Sequence, residues 1–102
     1  MEIRIQAIHF DVAEKLTEFI RKKVSKLEKY SDGIIDAEVT LKVVKPETAN
    51  NKEAAIKLNT KNGDFFASKI ADTFEEAIDL NVEAIEKQVR KIKEKTHTKG
   101  AF

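Results

Sequence analysis

The chain has no cysteine and no tryptophan, one proline, three glycines and two histidines in 102 residues. Without cysteine there is no disulfide and no thiolate metal site, and nothing points to an oxidising compartment. His9 and His97 stand far apart in the chain, so no metal-ligand spacing is present and no cofactor is expected. No apolar run approaches the ~20 residues that cross a bilayer. The opening segment, Met1 to Phe10, alternates polar and apolar residues, unlike a signal peptide. A cytoplasmic protein without a membrane partner is the expectation. Neither sign of charge dominates either, with 19 Lys and Arg against 18 Asp and Glu and a formal net charge of +1. Any case for a polyanionic partner must therefore rest on where the charges lie.

What is present is patterning. At 41% hydrophobic and 36% charged, the length suits one small domain with a single core. Glu2 to Ile8 alternates with period two and reads as a strand. Asp11 and Glu14 have the spacing of a capping box. Val12, Leu16, Phe19, Ile20, Val24, Leu27 and Tyr30 then recur at helical spacing until Asp32-Gly33 stops the helix. Ile35 to Val43 alternates cleanly, with Ile35, Ala37, Val39, Leu41 and Val43 on one side. Pro46 and the polar residues to Lys52 read as a loop. Ala54, Ile56 and Leu58 mark a third strand, and Asn62-Gly63 a two-residue hairpin into a fourth, Asp64 to Ile70. Thr73 and Glu76 form a second capping box before a long amphipathic helix ending near Lys95.

The order β-α-β-β-β-α predicts an α+β domain: a four-stranded sheet with both helices, Val12 to Tyr30 and Thr73 to Lys95, on one face and the other face wet. If the first two strands are parallel, connectivity points both helices the same way. Residues 1–95 form the single domain, and 96–102 a short flexible tail.

Both helices run from acid to base. Asp72 to Glu86 holds six carboxylates and no Lys or Arg, whereas Lys87 to Lys99 carries Lys87, Arg90, Lys91, Lys93, Lys95 and Lys99 against Glu94 alone. The first helix repeats this more weakly, with Arg21, Lys22, Lys23, Lys26 and Lys29 in its second half. The helix dipole favours that order by ~0.3–1 kcal/mol per charge, so a solvated surface is the plain explanation. Spacing adds to it. Lys15, Lys22, Lys26 and Lys29 form one stripe, and Lys87 and Lys91 share a flank with Leu80 and Ala84 where carboxylates could have stood. Lys23 falls within the apolar face, so its stem is partly covered and its ammonium held at the edge. Ammonium groups gathered where the two basic helix ends meet suit phosphates spaced along a nucleic-acid backbone. The wet sheet face lacks the paired aromatics of an RNA-binding sheet. Phe65-Phe66 puts one ring on each side of its strand and offers at most one for stacking.

The segments Leu16 to Tyr30 (LTEFIRKKVSKLEKY), Ala67-Ser68, Asp72 to Asp79 (DTFEEAID) and Glu86 to Lys95 (EKQVRKIKEK) resemble the ribosome hibernation promoting factor / protein Y family, also called ribosome-associated inhibitors. The likeness covers nearly the whole chain in the family's order. It implies an architecture similar to double-stranded-RNA-binding domains. It also implies binding to small-subunit ribosomal RNA within the whole ribosome, in the channel for mRNA and tRNA, where translation is inhibited in resting cells. The family's basic positions fall on Lys23, Lys26, Lys29, Lys87 and Lys91; Lys22 joins them by its place in the stripe. A basic residue common in the family at the position of Ala84 is missing, which the resemblance implies weakens one RNA contact, with Arg90 or Lys93 the candidates to replace it. Ile92 also occupies a position that is often polar. Long members append a second domain that pairs ribosomes, and this chain resembles the short type, expected to be a monomer in solution that silences single ribosomes.

An enzyme finds little support. Ser68 has no nucleophile-elbow context, and Glu75/Glu76 and Asp79/Glu83 lie on a polar helix face, so no small-molecule substrate is expected. The alternative from another class is a protein–protein module that modulates a transcription factor. Salt separates the two, because a polyanion complex weakens steeply with ionic strength and a mainly apolar interface does not.

Overall fold

The computed structural model describes residues 1–30, 33–44, 50–61 and 63–100, the stretch 92–100 through its backbone only. Pro46, Asn62 and the last two residues lie outside the described ones. The elements are β1 (Glu2–Ala7), α1 (Glu14–Ser25), a 3-10 turn (Lys26–Lys29), β2 (Ile34–Val43), β3 (Lys52–Thr60), β4 (Gly63–Ala71) and α2 (Phe74–Gly100).

The strands form one sheet in the order β1-β2-β3-β4. β1 pairs parallel to β2 with Ile5 opposite Val39; β2–β3 and β3–β4 are antiparallel, with Val39 opposite Ile56 and Ile56 opposite Ala67. Because side chains alternate along a strand, Ile3, Ala37, Val39, Leu41, Ala54, Ile56, Leu58, Ala67 and Ala71 line one face. There they meet Ile20, Val24 and Leu27 from the first helical segment and Ala77, Ile78, Ile85 and Val89 from α2 in a single core. Truncating one of its fully buried branched side chains costs ~2–5 kcal/mol. Asn81 sits among them with no exposed surface, its Nδ2 donating to the Ala54 carbonyl of β3 at 2.7 Å and to the Ala77 carbonyl at 2.8 Å. One amide thus ties α2 to the centre of the sheet.

The two expected helix starts differ. Thr73 caps α2 as the spacing predicts, its Oγ1 accepting from the Glu76 N–H at 3.1 Å. Asp11 does not cap α1; the N-cap is Ala13, with no side-chain cap bond. Phe10 stacks on Phe74, centroids 5.2 Å apart, and His9 takes a left-handed φ of 64°, so the approach to α1 turns over the start of α2 and the helix begins later than the cap spacing implies.

At its other end the first helix stops at Ser25 and tightens into the 3-10 turn instead of running to Tyr30. α2 continues to Gly100, beyond the expected end near Lys95, since no proline or glycine interrupts it before Gly100. The backbone is helical through most of the stretch read as a tail.

The alternation of β2 also breaks once. The pairing shifts between Ile34 and Asp36, an extra residue that turns Ile35 outward, 57% exposed, where the pattern predicts burial. At the expected hairpin Thr60 pairs with Gly63, which at φ 130° opens β4; Asn62 of the expected turn lies outside the described residues.

Candidate nucleic-acid interface

Two contacts fix the relation of the helices. Lys23 Nζ lies 3.2 Å from Asp79 Oδ1, and further along both helical segments the Arg90 guanidinium sits over the Tyr30 ring, 5.0 Å from its centroid. Moving forward on one helix therefore moves forward on the other, so they run side by side in the same direction and their basic ends adjoin.

The candidate cations fall into two groups. Lys22, Lys26, Lys29 and Lys91 are exposed and have no ion-pair partner among the described residues. The 3-10 geometry matters here: with three residues per turn, Lys26 and Lys29 line up one above the other, extending the stripe from Lys22. Lys23, Lys87 and Arg90 are engaged. Lys23 is half-buried, its ammonium also 5.5 Å from the Phe19 ring centroid, as its place in the apolar face implies. Lys87 pairs with Glu83 at 3.2 Å and Arg90 with Glu86 at 2.9 Å, each one turn apart on α2. The expectation that Lys87 has no carboxylate nearby is thus corrected, and the Glu83–Lys87 and Glu86–Arg90 spacings were the available signal. The side chain of Lys93 lies outside the described residues.

At ~3.6 residues per turn, Asp79, Glu83, Glu86 and Arg90 share the flank of α2 that meets α1. Lys87 and Lys91 rise on the other side with Leu80 and Ala84, toward β4, where Gln88 Nε2 donates to the Phe66 carbonyl at 3.0 Å. Lys23 and Arg90 lie in the groove between the helices, tied to its carboxylates. The other cations stand on both sides of that row of carboxylates.

The open sheet face is built differently. Arg4 reaches Asp36 at 3.0 Å, Glu38 at 3.7 Å and Glu2 at 3.9 Å, and Asn59 Nδ2 donates to both Asp36 and Glu38. Lys57 lies 3.9 Å from Asp64. One ring, Phe66, is 57% exposed there, while Phe65 packs against the core. Among the described residues no group of three or more His, Cys, Asp or Glu could hold a metal, and no helix is long and apolar enough to cross a membrane.

A model of the family described as sigma 54 modulation protein / S30EA ribosomal protein matches residues 3–97. The chain belongs to this family. Among curated members, the ribosome hibernation promoting factor of Escherichia coli strain K12 is 32% identical over 95 residues, covering 93% of this chain and 96% of that protein. The ribosome hibernation promotion factor of Deinococcus radiodurans is 34% identical over 86 residues, covering 81% of this chain and 44% of that protein. The chain thus spans less than half of one relative and nearly all of the other. Among solved structures, the N-terminal domain of Protein Y from Thermus thermophilus superposes with a TM-score of 0.78 at 22% identity, covering 90% of this chain and 99% of the other. A ribosomal subunit interface protein from Coxiella burnetii gives 0.81 at 20%, covering 91% and 98%. These two likenesses show that the S30EA member described here has their α+β fold.

Proposed function

We propose that this chain is a cytoplasmic, non-enzymatic ribosome hibernation factor. It binds the small subunit of the whole ribosome through ribosomal RNA, occupies the mRNA and tRNA channel and holds idle ribosomes inactive. The observation that carries the reading is the exposed set Lys22, Lys26, Lys29 and Lys91, without carboxylate partners among the described residues, on a chain of the S30EA family. Phosphate contacts displace condensed counterions, and four or five of them make log affinity fall against log salt with a slope of about 3–4.5. The Asp79 and Glu83 carboxylates, expected to have no acid–base role, are held in ion pairs with lysines. The test is sedimentation of purified ribosomes with the added protein across a salt series. Co-migration at low salt with release on that slope supports the reading. Failure to co-migrate at any salt refutes it, and retention at high salt points instead to an apolar protein–protein module.

A further inference from the structure

The cations of the helix layer are divided by carboxylates. On α1 and its 3-10 turn, Lys22, Lys26 and Lys29 form one line of exposed charge. On α2, Lys87 and Lys91 form a second. Asp79, Glu83 and Glu86 recur at i, i+4 and i+7 along the flank between them, with side chains 51%, 61% and 24% exposed. Each is tied to a cation: Asp79 to Lys23 across the helix interface, Glu83 to Lys87 and Glu86 to Arg90. Stability gives little reason for the last two, since exposed pairs one turn apart contribute only a few tenths of a kcal/mol.

Resting on the proposed function, we propose that Glu83 and Glu86 are specificity-determining residues, forming an acidic divide that splits the basic surface into two phosphate tracks. A single flexible strand that tries to lie along the groove meets the carboxylates of Asp79, Glu83 and Glu86, with the Lys23 and Arg90 charges there already engaged by them. It can use one track at a time, and like charges at close range penalise the wrong partner. A folded RNA with two backbone segments held apart straddles the divide, and each segment meets its own line of lysines. The ion pairs serve the same end, because Lys87 and Arg90 leave their carboxylates only for a phosphate placed to replace them. Shape is selected without any base contact.

The test compares Glu83→Gln/Glu86→Gln with Glu75→Gln/Glu76→Gln, which makes the same change in net charge at the start of α2, away from the tracks. Binding of a fluorescent 12-nucleotide oligo(U) at low salt is measured beside co-sedimentation with purified ribosomes. The divide predicts that the Glu83/Glu86 variant gains roughly threefold to tenfold in oligo(U) affinity, the screened range of two nearby charges. Ribosome affinity should stay the same or fall, and the Glu75/Glu76 variant should gain less than about twofold at this distance. An unchanged oligo(U) affinity, an equal gain for ribosomes, or an equal gain in the Glu75/Glu76 variant overturns the divide. Failure of the unmodified chain to bind ribosomes at all overturns the ribosomal reading instead, and the oligo(U) comparison still decides whether the carboxylates repel a single strand.

Discussion

The two faces of this domain carry similar side chains and use them in opposite ways. On the open sheet face Arg4 is shared among three carboxylates and Asn59 closes the same network, so its charge is spent within the protein. On the helix layer Lys22, Lys26, Lys29 and Lys91 have no such partner among the described residues. The number of cations on a surface is therefore a poor guide to what it binds. What matters is whether their field is already cancelled at short range.

The strongest way to break this comparison is to remove cations from each face in turn. Replacing Lys22, Lys26, Lys29 and Lys91 together by Ala should weaken ribosome binding roughly a hundredfold to a thousandfold near physiological salt and lower the salt slope by about 3. Replacing Arg4, Lys42 and Lys57 together should change it less than about threefold, since these charges lie on the opposite face. Equal losses in co-sedimentation would erase the distinction between the faces.

A second test concerns what joins the layers. Asn81→Ala removes the side-chain bond from α2 to the Ala54 carbonyl and leaves a buried gap. It should cost about 1–3 kcal/mol, seen as a fall in Tm of roughly 4–20 °C. Binding by the protein that remains folded should be unchanged, because Asn81 has no exposed surface.

The helix starts sharpen the comparison further. Thr73→Ala should cost about 1 kcal/mol in urea unfolding, the usual worth of a hydroxyl cap. Asp11→Ala should stay within about 0.5 kcal/mol, because Asp11 is exposed and α1 is capped at Ala13 without a side-chain bond. The smallest effect is expected at Lys57, whose pair with Asp64 is half-exposed on both sides; Lys57→Ala should change stability by no more than about 0.5 kcal/mol.

These contrasts also separate what could be read from the chain from what could not. The strands were legible because burial on one face enforces period two, and α2 because Thr73 and its apolar stripe agree. The false cap at Asp11 has the right local spacing, but the path into α1 is set by Phe10 on Phe74, a contact between residues distant in sequence. Ile35 fits the alternation of β2, and only the pairing with β3 reveals the extra residue that turns it outward. Lys23 was visible as a lysine in an apolar stripe. Its partner Asp79 was not, since that pair depends on how far one helix is slid along the other. The acidic flank was within reach of one-turn spacing, yet its meaning appears only when α1 is seen beside it.

The parallel pairing of β1 has a consequence for how the binding surface comes into being. β2, β3 and β4 are joined as successive neighbours and α2 follows directly, so residues 34 to 100 can associate through contacts near in sequence. β1, six residues long and paired on one side only, returns to β2 across the whole of α1. This topology predicts that β1 with α1 docks last and is released first, so amide hydrogens of β1 should exchange with solvent before those of β3. Since α1 brings one line of lysines and α2 the other, a chain that has opened at this seam has both charges and helices but no paired tracks. On that expectation, the two lines of lysines stand side by side only once the N-terminal unit is docked.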